Sequence, residues 1–415
     1  MMLRLFAASA FAIVPFGFAG AEDWARLRGP NGTGVVAEAT PVKFAAKDQL
    51  WKTPIPGVGH GSPIVVGERV FIQSSSADSK SRLLLCLGAK TGKVEWTKSI
   101  GAQMADSIHK KNTPASSTPA SDGASVYASV WDGSALALYA YDLEGKELWN
   151  AALGTFSGAH GAAHSPMVHD GVVYLNVDSD ASAQLVALDA KTGAPKWKAD
   201  RLKERASYTT PMILEAKGKP TQLLLGTSTT VDSYDPKTGK VNWTCAIGTR
   251  LRAVGQPILA AGNLVTYMGE GGKGRHMVAV KTDGSGDVSK TGKAWELNDA
   301  SKTPYVPSAL AHGDHIYWVN DTGFAGCADA KTGKIVWYER CCATGVSSSP
   351  ILVKDTVLAF DEAGKSVAFK ATPKGFEKVG ESTLGEAVLS SPAAAGGRLF
   401  VRGATHLFCF GPKGS

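Results

Sequence analysis

The phrase DAKTGKIVW, residues 329–337, recurs as GAKTGKVEW from Gly88, DLEGKELW from Asp142, DAKTGAPKW from Asp189, DPKTGKVNW from Asp235 and a shorter SKTGKAW from Ser289. A chain that repeats itself every ~20–50 residues is built from small units that bury their apolar faces against one another. Each phrase has the chemistry of a tight hairpin: Asp or Gly, two polar residues, then a Gly free to take positive φ where a short loop closes. LLLCL, LYAYD and LVALD lead into it, and Val94 with Trp96, Val241 with Trp243 and Ile335 with Trp337 fall two apart on one strand face. A large ring at a fixed place in every copy predicts packing against the next unit, which assigns a structural role to Trp96, Trp149, Trp197, Trp243, Trp295 and Trp337.

A second repeat alternates with the first. GSPIVVGERVFI, STPASDGASVYA, HSPMVHDGVVYL, TPMILEAKGKPTQLLL, QPILAAGNLVTY, PSALAHGDHIYW, SPILVKDTVLAF and SPAAAGGRLFVR each read as Pro, a short strand, a turn such as Asp170-Gly171 or Gly262-Asn263, and a β-rich strand. Two hairpins per unit make four strands. The marker prolines at 63, 119, 166, 211, 257, 307, 350 and 392 have a mean step of 47 residues (329/7), which suits a four-stranded propeller blade. Eight first strands predict an all-β, eight-bladed propeller. The last copy ends at LFCFGPKGS without a Trp strand, whereas LWKTPIPG at 50–57 has the pattern of one and precedes any first strand. Trp51 is therefore expected to complete the final blade, so that both ends of the chain share one sheet and no strand edge is exposed.

The expected organisation is a leader over residues 1–21, an extended segment over 22–49 and the propeller over 50–415. The leader reading rests on one Arg, an apolar run from Leu5 to Phe18 and the small-x-small site Ala19-Gly20-Ala21 before Glu22. That run is shorter than the ~20 residues needed to span a bilayer, and no Cys stands near the cleavage site to carry a lipid. The expectation is a periplasmic or secreted protein without a transmembrane segment or lipid anchor, and export disfavours a nucleic-acid partner. Six cysteines would permit 15 disulfide connectivities. Cys86, Cys327 and Cys409 occupy equivalent repeat positions that rarely touch, and they read as small core residues.

The [DG]-x-[KE]-TG-x-x-x-W phrase resembles the repeat of PQQ-type propellers over about residues 50–411. That family includes quinoprotein dehydrogenases, in which an eight-bladed propeller holds pyrroloquinoline quinone (PQQ) and Ca²⁺, and non-catalytic propellers of the BamB type. WARLRGPNGTG (24–34) and HKKNTPASSTPASDG (109–123) further resemble a group of exported bacterial PQQ-repeat proteins. Methanol-dehydrogenase-like members place a disulfide between adjacent cysteines beside the cofactor, and the resemblance implies the same option for Cys341 and Cys342.

The repeat itself is a packing device and carries no chemistry. A quinoprotein needs a cation held by carboxylate and amide oxygens, an Asp base and an aromatic floor, and no residue can be assigned to these roles. No catalytic or metal-ligating residue is assigned. His160 and His164 in HGAAH have an i, i+4 spacing that works on a helix, whereas this segment leads into a strand; VDSDAS (177–182) reads as a hairpin tip. The distributed feature is charge. The connections from each Trp strand to the next first strand carry His109, Lys110, Lys111, Arg201, Lys203, Arg205, Arg250, Arg252, Lys302 and Arg340 against Asp106, Asp200, Glu204, Asp299, Glu339 and Glu386, in a chain of net charge +7. Of these, Lys110, Lys111, Arg201, Arg205, Arg250, Arg252 and Arg340 are expected to ring one mouth and bind an anionic ligand or acidic protein surface. The expected function is an exported, non-catalytic binding or scaffolding propeller without a cofactor. The alternative is a PQQ- and Ca²⁺-dependent quinoprotein oxidoreductase acting on alcohols or sugars.

Overall fold

A strand of alternating burial that ends in a tight turn closed by Gly pairs back on itself, and the chain does this at Asp142–Gly145, Asp189–Gly193, Asp235–Gly239 and Asp329–Gly333, where the Gly N–H donates to the Asp carbonyl. The computed structural model describes residues 23–103, 108–202, 205–270 and 274–412. Their strands gather into eight separate sheets in chain order, each with a four-stranded antiparallel core. Blade 1 runs from the inner strand Ile64–Val66 through Arg69–Ser75 and Ser81–Gly88 to the outer strand Val94–Gly101. The result is an all-β, eight-bladed propeller, with only the short 3₁₀ turns Pro30–Gly32 and Ala46–Asp48 as helix among the described residues.

In blade 8, Ala393–Ala395, Arg398–Arg402 and His406–Phe410 are joined by Gln49–Pro54 as outer strand, with Trp51 opposite Cys409. The outer strand of blade 7, Lys378–Thr383, lacks a Trp but pairs with Lys365–Lys370 in the same register pattern.

The repeated Trp and the repeated Gly are two halves of one joint. The indole of Trp51 lies on Gly92 of the next blade so closely that a Cβ there would sit 2.5 Å from the ring, and its Nε1–H donates to Ala89 O at 3.0 Å. The same bond runs from Trp96 to Leu143 O, Trp149 to Ala190 O, Trp197 to Pro236 O, Trp295 to Ala330 O and Trp337 to Thr372 O. Trp243 differs. Blade 5 has a longer third hairpin whose segment Gly286–Asp287 pairs in parallel with the outer strand of blade 4, so the fully buried indole turns to Gln222 Oε1 of its own blade.

Nearer the axis, a belt of polar side chains ties the blades together. The backbone N–H of Ser62 donates to Thr118 Oγ1, Thr118 to Ser165 Oγ, Thr210 to Gln256 Oε1, Gln256 to Ser308 Oγ, Ser308 to Ser349 Oγ, Ser349 to Ser391 Oγ, and Ser391 back to Ser62 Oγ. At the remaining junction Thr210 Oγ1 donates to Ser165 O. These residues precede the inner strands, where a buried N–H without a partner would be costly. Ser308 stands in the belt beside Ser349, so Ala309 and not Pro307 occupies the position of the marker prolines in blade 6. The tight turn of blade 5 is likewise Ala261-Gly262, both with positive φ, and not Gly262-Asn263.

The segment before the first blade closes the central channel. Trp24 bridges Val65 of blade 1, the carbonyl of Ala25 accepts Ser121 N–H of blade 2, Asn31 forms paired amide bonds with Ile213 of blade 4, and Val35–Val36 adds in parallel to Ile351–Val353 of blade 7. The inner strands of blades 1, 2, 4 and 7 would otherwise present free edges to the channel, and this strap supplies their partners. Its path needs positive φ at Gly29 and Gly34, where a Cβ would meet the Trp24 ring and the Arg28 guanidinium at 2.4 Å each. The fully buried Arg28 donates to the carbonyls of Gly32, Thr33, Ala309 and Pro350, which pins the strap to blades 6 and 7. The expected leader, residues 1–21, lies outside the described residues.

Candidate functional site

Each chain crossing from an outer strand to the next inner strand occurs at one end of the ring, and the loops between second and third strands emerge at that same end. Lys110, Lys111, Arg201, Arg205, Arg250, Arg252 and Arg340, with His109 and Lys302, therefore share one rim by topology. Lys203, Asp106 and Glu204 lie outside the described residues. The loops between second and third strands are the other half of the rim, and they bring carboxylates to these cations.

Arg201 Nη2 lies 3.2 Å from Asp178 Oδ2 with both side chains 3% exposed, so Arg201 is a buried structural cation and not a member of the accessible rim. Glu270 serves both Arg205 at 3.5 Å and Arg252 at 3.8 Å, and the Arg252 side chain is itself buried. Lys111 meets Glu362 at 2.8 Å, and Ser347 donates to the same carboxylate. Asp321 pairs with Arg275 at 3.6 Å and accepts the N–H groups of Tyr305 and Val306. The expected counter-charges behave differently: Asp200 takes the Gln184 amide, Glu386 binds Lys52 and His406, and Asp299 pairs with Lys302. Lys110, Lys111, Arg250 and Arg340 remain exposed, and Arg205 is half-buried. Arg340 lies over the Phe324 ring at 4.1 Å and donates to Thr322 O and Cys342 O, which fixes its guanidinium plane.

Burial and pairing set the protonation of this rim. Desolvation raises the Asp178 carboxyl to about 6 against the pull of Arg201. Burial also pushes Glu386 upward, but bonds from Thr405, Lys52 and His406 outweigh it and hold the group at about 2. His164, packed between Phe156 and Tyr208 with Nε2 bonded to Asp178 O, is lowered to about 4 by burial. His60 is lowered to about 4 by burial and by Arg402 nearby. His160 stacks on His109 at 4.7 Å and its carbonyl accepts the Asn112 amide, so His160 and His164 serve separate neighbours. Among the described residues, no group of three His, Cys, Asp or Glu side chains is gathered to hold a metal ion.

Cys341 and Cys342 follow Arg340 on the rim. Both backbone N–H groups donate to Gly323 O, and the two thiol sulfurs stand 3.4 Å apart and unbonded. The neighbouring Cys342 thiol and burial together push the Cys341 thiol up. Cys86, Cys327 and Cys409 are buried free thiols at equivalent positions of third strands, each opposite the repeat Trp of the outer strand.

Sequence reasoning missed Asp178, Glu270, Asp321 and Glu362. Their signal was an acidic residue at the end of the second strand or two residues past it, in NVDSD, MGEG, VNDTG and FDEAG.

With blades, joint and rim in view, comparison with known proteins places the chain. Residues 107–339 match the family described as outer membrane protein assembly factor BamB. The chain belongs to that family. BamB from Moraxella catarrhalis superposes with a TM-score of 0.61 over 88% of this chain and 98% of its own at 14% identity. The quinohemoprotein alcohol dehydrogenase of Comamonas testosteroni superposes with a TM-score of 0.66 over 94% and 80%, at 15% identity. Both likenesses concern the fold. A polyvinylalcohol dehydrogenase from a Pseudomonas species is 31% identical over 211 residues, 46% of this chain and 30% of that protein. The chain thus matches less than a third of that relative's length.

Proposed function

We propose that this BamB-family propeller is exported and works as a non-catalytic binding or scaffolding protein, with its charged rim taking an acidic protein surface or another anionic ligand. The observation that carries the reading is the pairing pattern. Asp178, Glu270, Asp321 and Glu362 are each held by Arg or Lys from the same rim, and Lys110, Arg250 and Arg340 have solvent-exposed side chains there. A carboxylate locked to a buried guanidinium serves poorly as a general base, because protonating it strands a desolvated cation. The exposed cations on a concave rim instead add their fields toward one partner, and Arg favours planar contacts to carboxylate or phosphate. Export is supported by the leader pattern of residues 1–21 and by family membership. No helix among the described residues is long and apolar enough to cross a membrane.

The test is retention on immobilised poly-glutamate at low salt. Replacing Lys110, Arg250 and Arg340 by Glu should abolish retention and leave the melting temperature nearly unchanged; Arg205 and Arg252 are spared because both pair with Glu270. Retention should also fade with salt as the Debye length falls from ~10 Å at 0.1 M to ~3 Å at 1 M. Unchanged retention by the triple variant removes the reading.

One comparison favours a second reading. The resemblance to a polyvinylalcohol dehydrogenase keeps a PQQ-dependent oxidoreductase in play. Calcium at such a site wants about six to eight oxygen ligands, including free carboxylates, and the rim carboxylates here are already ion-paired. The residues as arranged do not fit that cation, and no chemical step is derived through it. Incubation with PQQ and Ca²⁺, followed by gel filtration and a search for a co-eluting chromophore, decides between the two.

A further inference from the structure

The strap does not fill the channel evenly. It pairs with inner strands of blades 1, 2, 4 and 7, and beside it a cavity of about 420 Å³ remains where blades 3, 4 and 5 face the axis. Its walls are Met167 and Val168 of blade 3, Ile213 and Leu214 of blade 4 and Leu259 of blade 5, with Arg26 and Asn31 of the strap. His169 and Glu215, at the ends of their inner strands, form its outer lip, and Glu215 is largely exposed. The cavity therefore reaches solvent at the turn end of the ring, opposite the charged rim.

Arg26 is the group that the fold leaves unexplained. It is only 8% exposed, yet a single bond is recorded for its guanidinium, from Nη2 to Pro211 O at 2.9 Å. Its Nε has no hydrogen-bond partner, and no carboxylate pairs with it among the described residues. Arg28, two residues on and fully buried, spends its nitrogens on four carbonyls. The contrast matters because a buried cation with one acceptor pays most of its desolvation cost without return. Burial accordingly lowers the Arg26 guanidinium to about 9. Asn31 cannot share the load, since its amide is committed to Ile213 in both directions. The positive charge thus stands at the inner end of a cavity with mostly aliphatic walls, while Glu215 on the lip stands 3.6 Å from His169, which also meets Asp170 at 3.5 Å.

We propose that this channel cavity is a binding site for a small amphiphilic carboxylate, with the carboxylate on Arg26 and the apolar body against Met167, Val168, Ile213 and Leu259. The volume falls in the range of small-molecule sites, and an Arg fork is the donor geometry that a carboxylate matches in two parallel bonds. The ligand enters from the turn end, so this site is independent of the rim and of its partner.

The probe is 4-(trifluoromethyl)benzoate, followed by ¹⁹F NMR titration of the full-length mature protein, with 4-(trifluoromethyl)benzyl alcohol as the neutral counterpart. The acid should bind saturably and at least about tenfold more tightly than the alcohol, a difference of about 1.4 kcal/mol. Arg26→Gln should weaken the acid by a similar factor and leave the alcohol unchanged. Leu259→Trp, which fills the cavity and leaves Arg26 in place, should abolish binding of both. Circular dichroism establishes that each variant is folded; if Arg26→Gln is not, the acid–alcohol comparison and Leu259→Trp decide. No saturable binding of the acid, equal affinity for acid and alcohol, or unchanged binding by Leu259→Trp overturns the proposal.

Discussion

Replacing Trp51 by Ala tests whether the first strand of the ring is the one that shuts it. Trp51 is 8% exposed, its indole covers Gly92 of blade 1, its N–H donates to Ala89 O, and its ring meets Phe400 of its own blade at 5.9 Å. Truncating a buried Trp to Ala costs ~3–5 kcal/mol, of which the indole bond accounts for about 1. For 415 residues unfolding together the entropy at the midpoint is about 0.9 kcal/mol/K, so a loss of about 4 kcal/mol lowers Tm by about 4–5 °C.

Trp149→Ala is the internal standard. Trp149 is 9% exposed and donates to Ala190 O at 3.0 Å, so its equilibrium loss should match. The two variants should differ in where they open. Trp149 joins blades connected by an intact chain, whereas Trp51 joins the two ends of the chain, and weakening it frees the edge of His406–Phe410. Differential scanning fluorimetry gives the shift, and hydrogen exchange should show faster opening of residues 49–54 and 406–410 in Trp51→Ala alone. If Trp51→Ala melts with the wild type while Trp149→Ala falls as calculated, the terminal strand is not part of the cooperative ring and the closure argument fails.

Three further outcomes follow from the same contacts. Asp178→Asn leaves Arg201 buried without its counter-charge and should cost about 3–5 kcal/mol in urea unfolding, whereas Asp200→Asn on the same rim should cost under about 0.5. His164 has its folded pKa lowered to about 4 from an ordinary 6.5, so its contribution is intact above pH 6.5 and is lost as pH falls through 4. His164→Gln should therefore flatten the fall in stability between those values, by up to ~3 kcal/mol, in a melting series against pH. Gly239→Ala places a methyl carbon about 2.5 Å from the Trp197 ring at a positive φ, and should lower Tm by several degrees, where Gly218→Ala, with open space around it, pays only for its φ.

Much of the ring is legible in the sequence because each blade states its own rule. The Asp-x-x-x-Gly turn and the Trp two residues beyond the first apolar position are local signals, and a local signal repeated many times averages out its exceptions. The exceptions are instructive. Trp243 carries the same phrase but has no turn to dock on, because the blade 5 hairpin is lengthened by TDGSGDVS, and only the fold shows that Gln222 takes over. Ser308 shows the reverse case: the proline pattern points two residues early, while the hydroxyl that belongs to the belt is fixed by its bond to Ser349. Pro was the visible marker in GSPI, STPA and SSPI, but the residue before it carries the contact between blades.

The charged rim was legible only by half, and the reason is topological. Cations on the crossing connections can be counted from the sequence, but whether they face solvent depends on loops about 20–65 residues away, such as Glu270 for Arg205 and Asp178 for Arg201. A one-dimensional tally of charge therefore overstates the field at the mouth, because it omits the carboxylates that the ring's own symmetry delivers there. The strap shows the opposite error. RLRGPNGTG reads as a linker rich in turn formers, yet its glycines and Asn31 bring Arg26 and Arg28 into the channel in nearly identical burial. Arg28 finds four carbonyls, two from the strap's own turn and one each from blades 6 and 7, whereas Arg26 finds one, from blade 4. Two arginines separated by one residue thus acquire different roles from the blades they meet, one as a pin and one as a charge left facing a cavity.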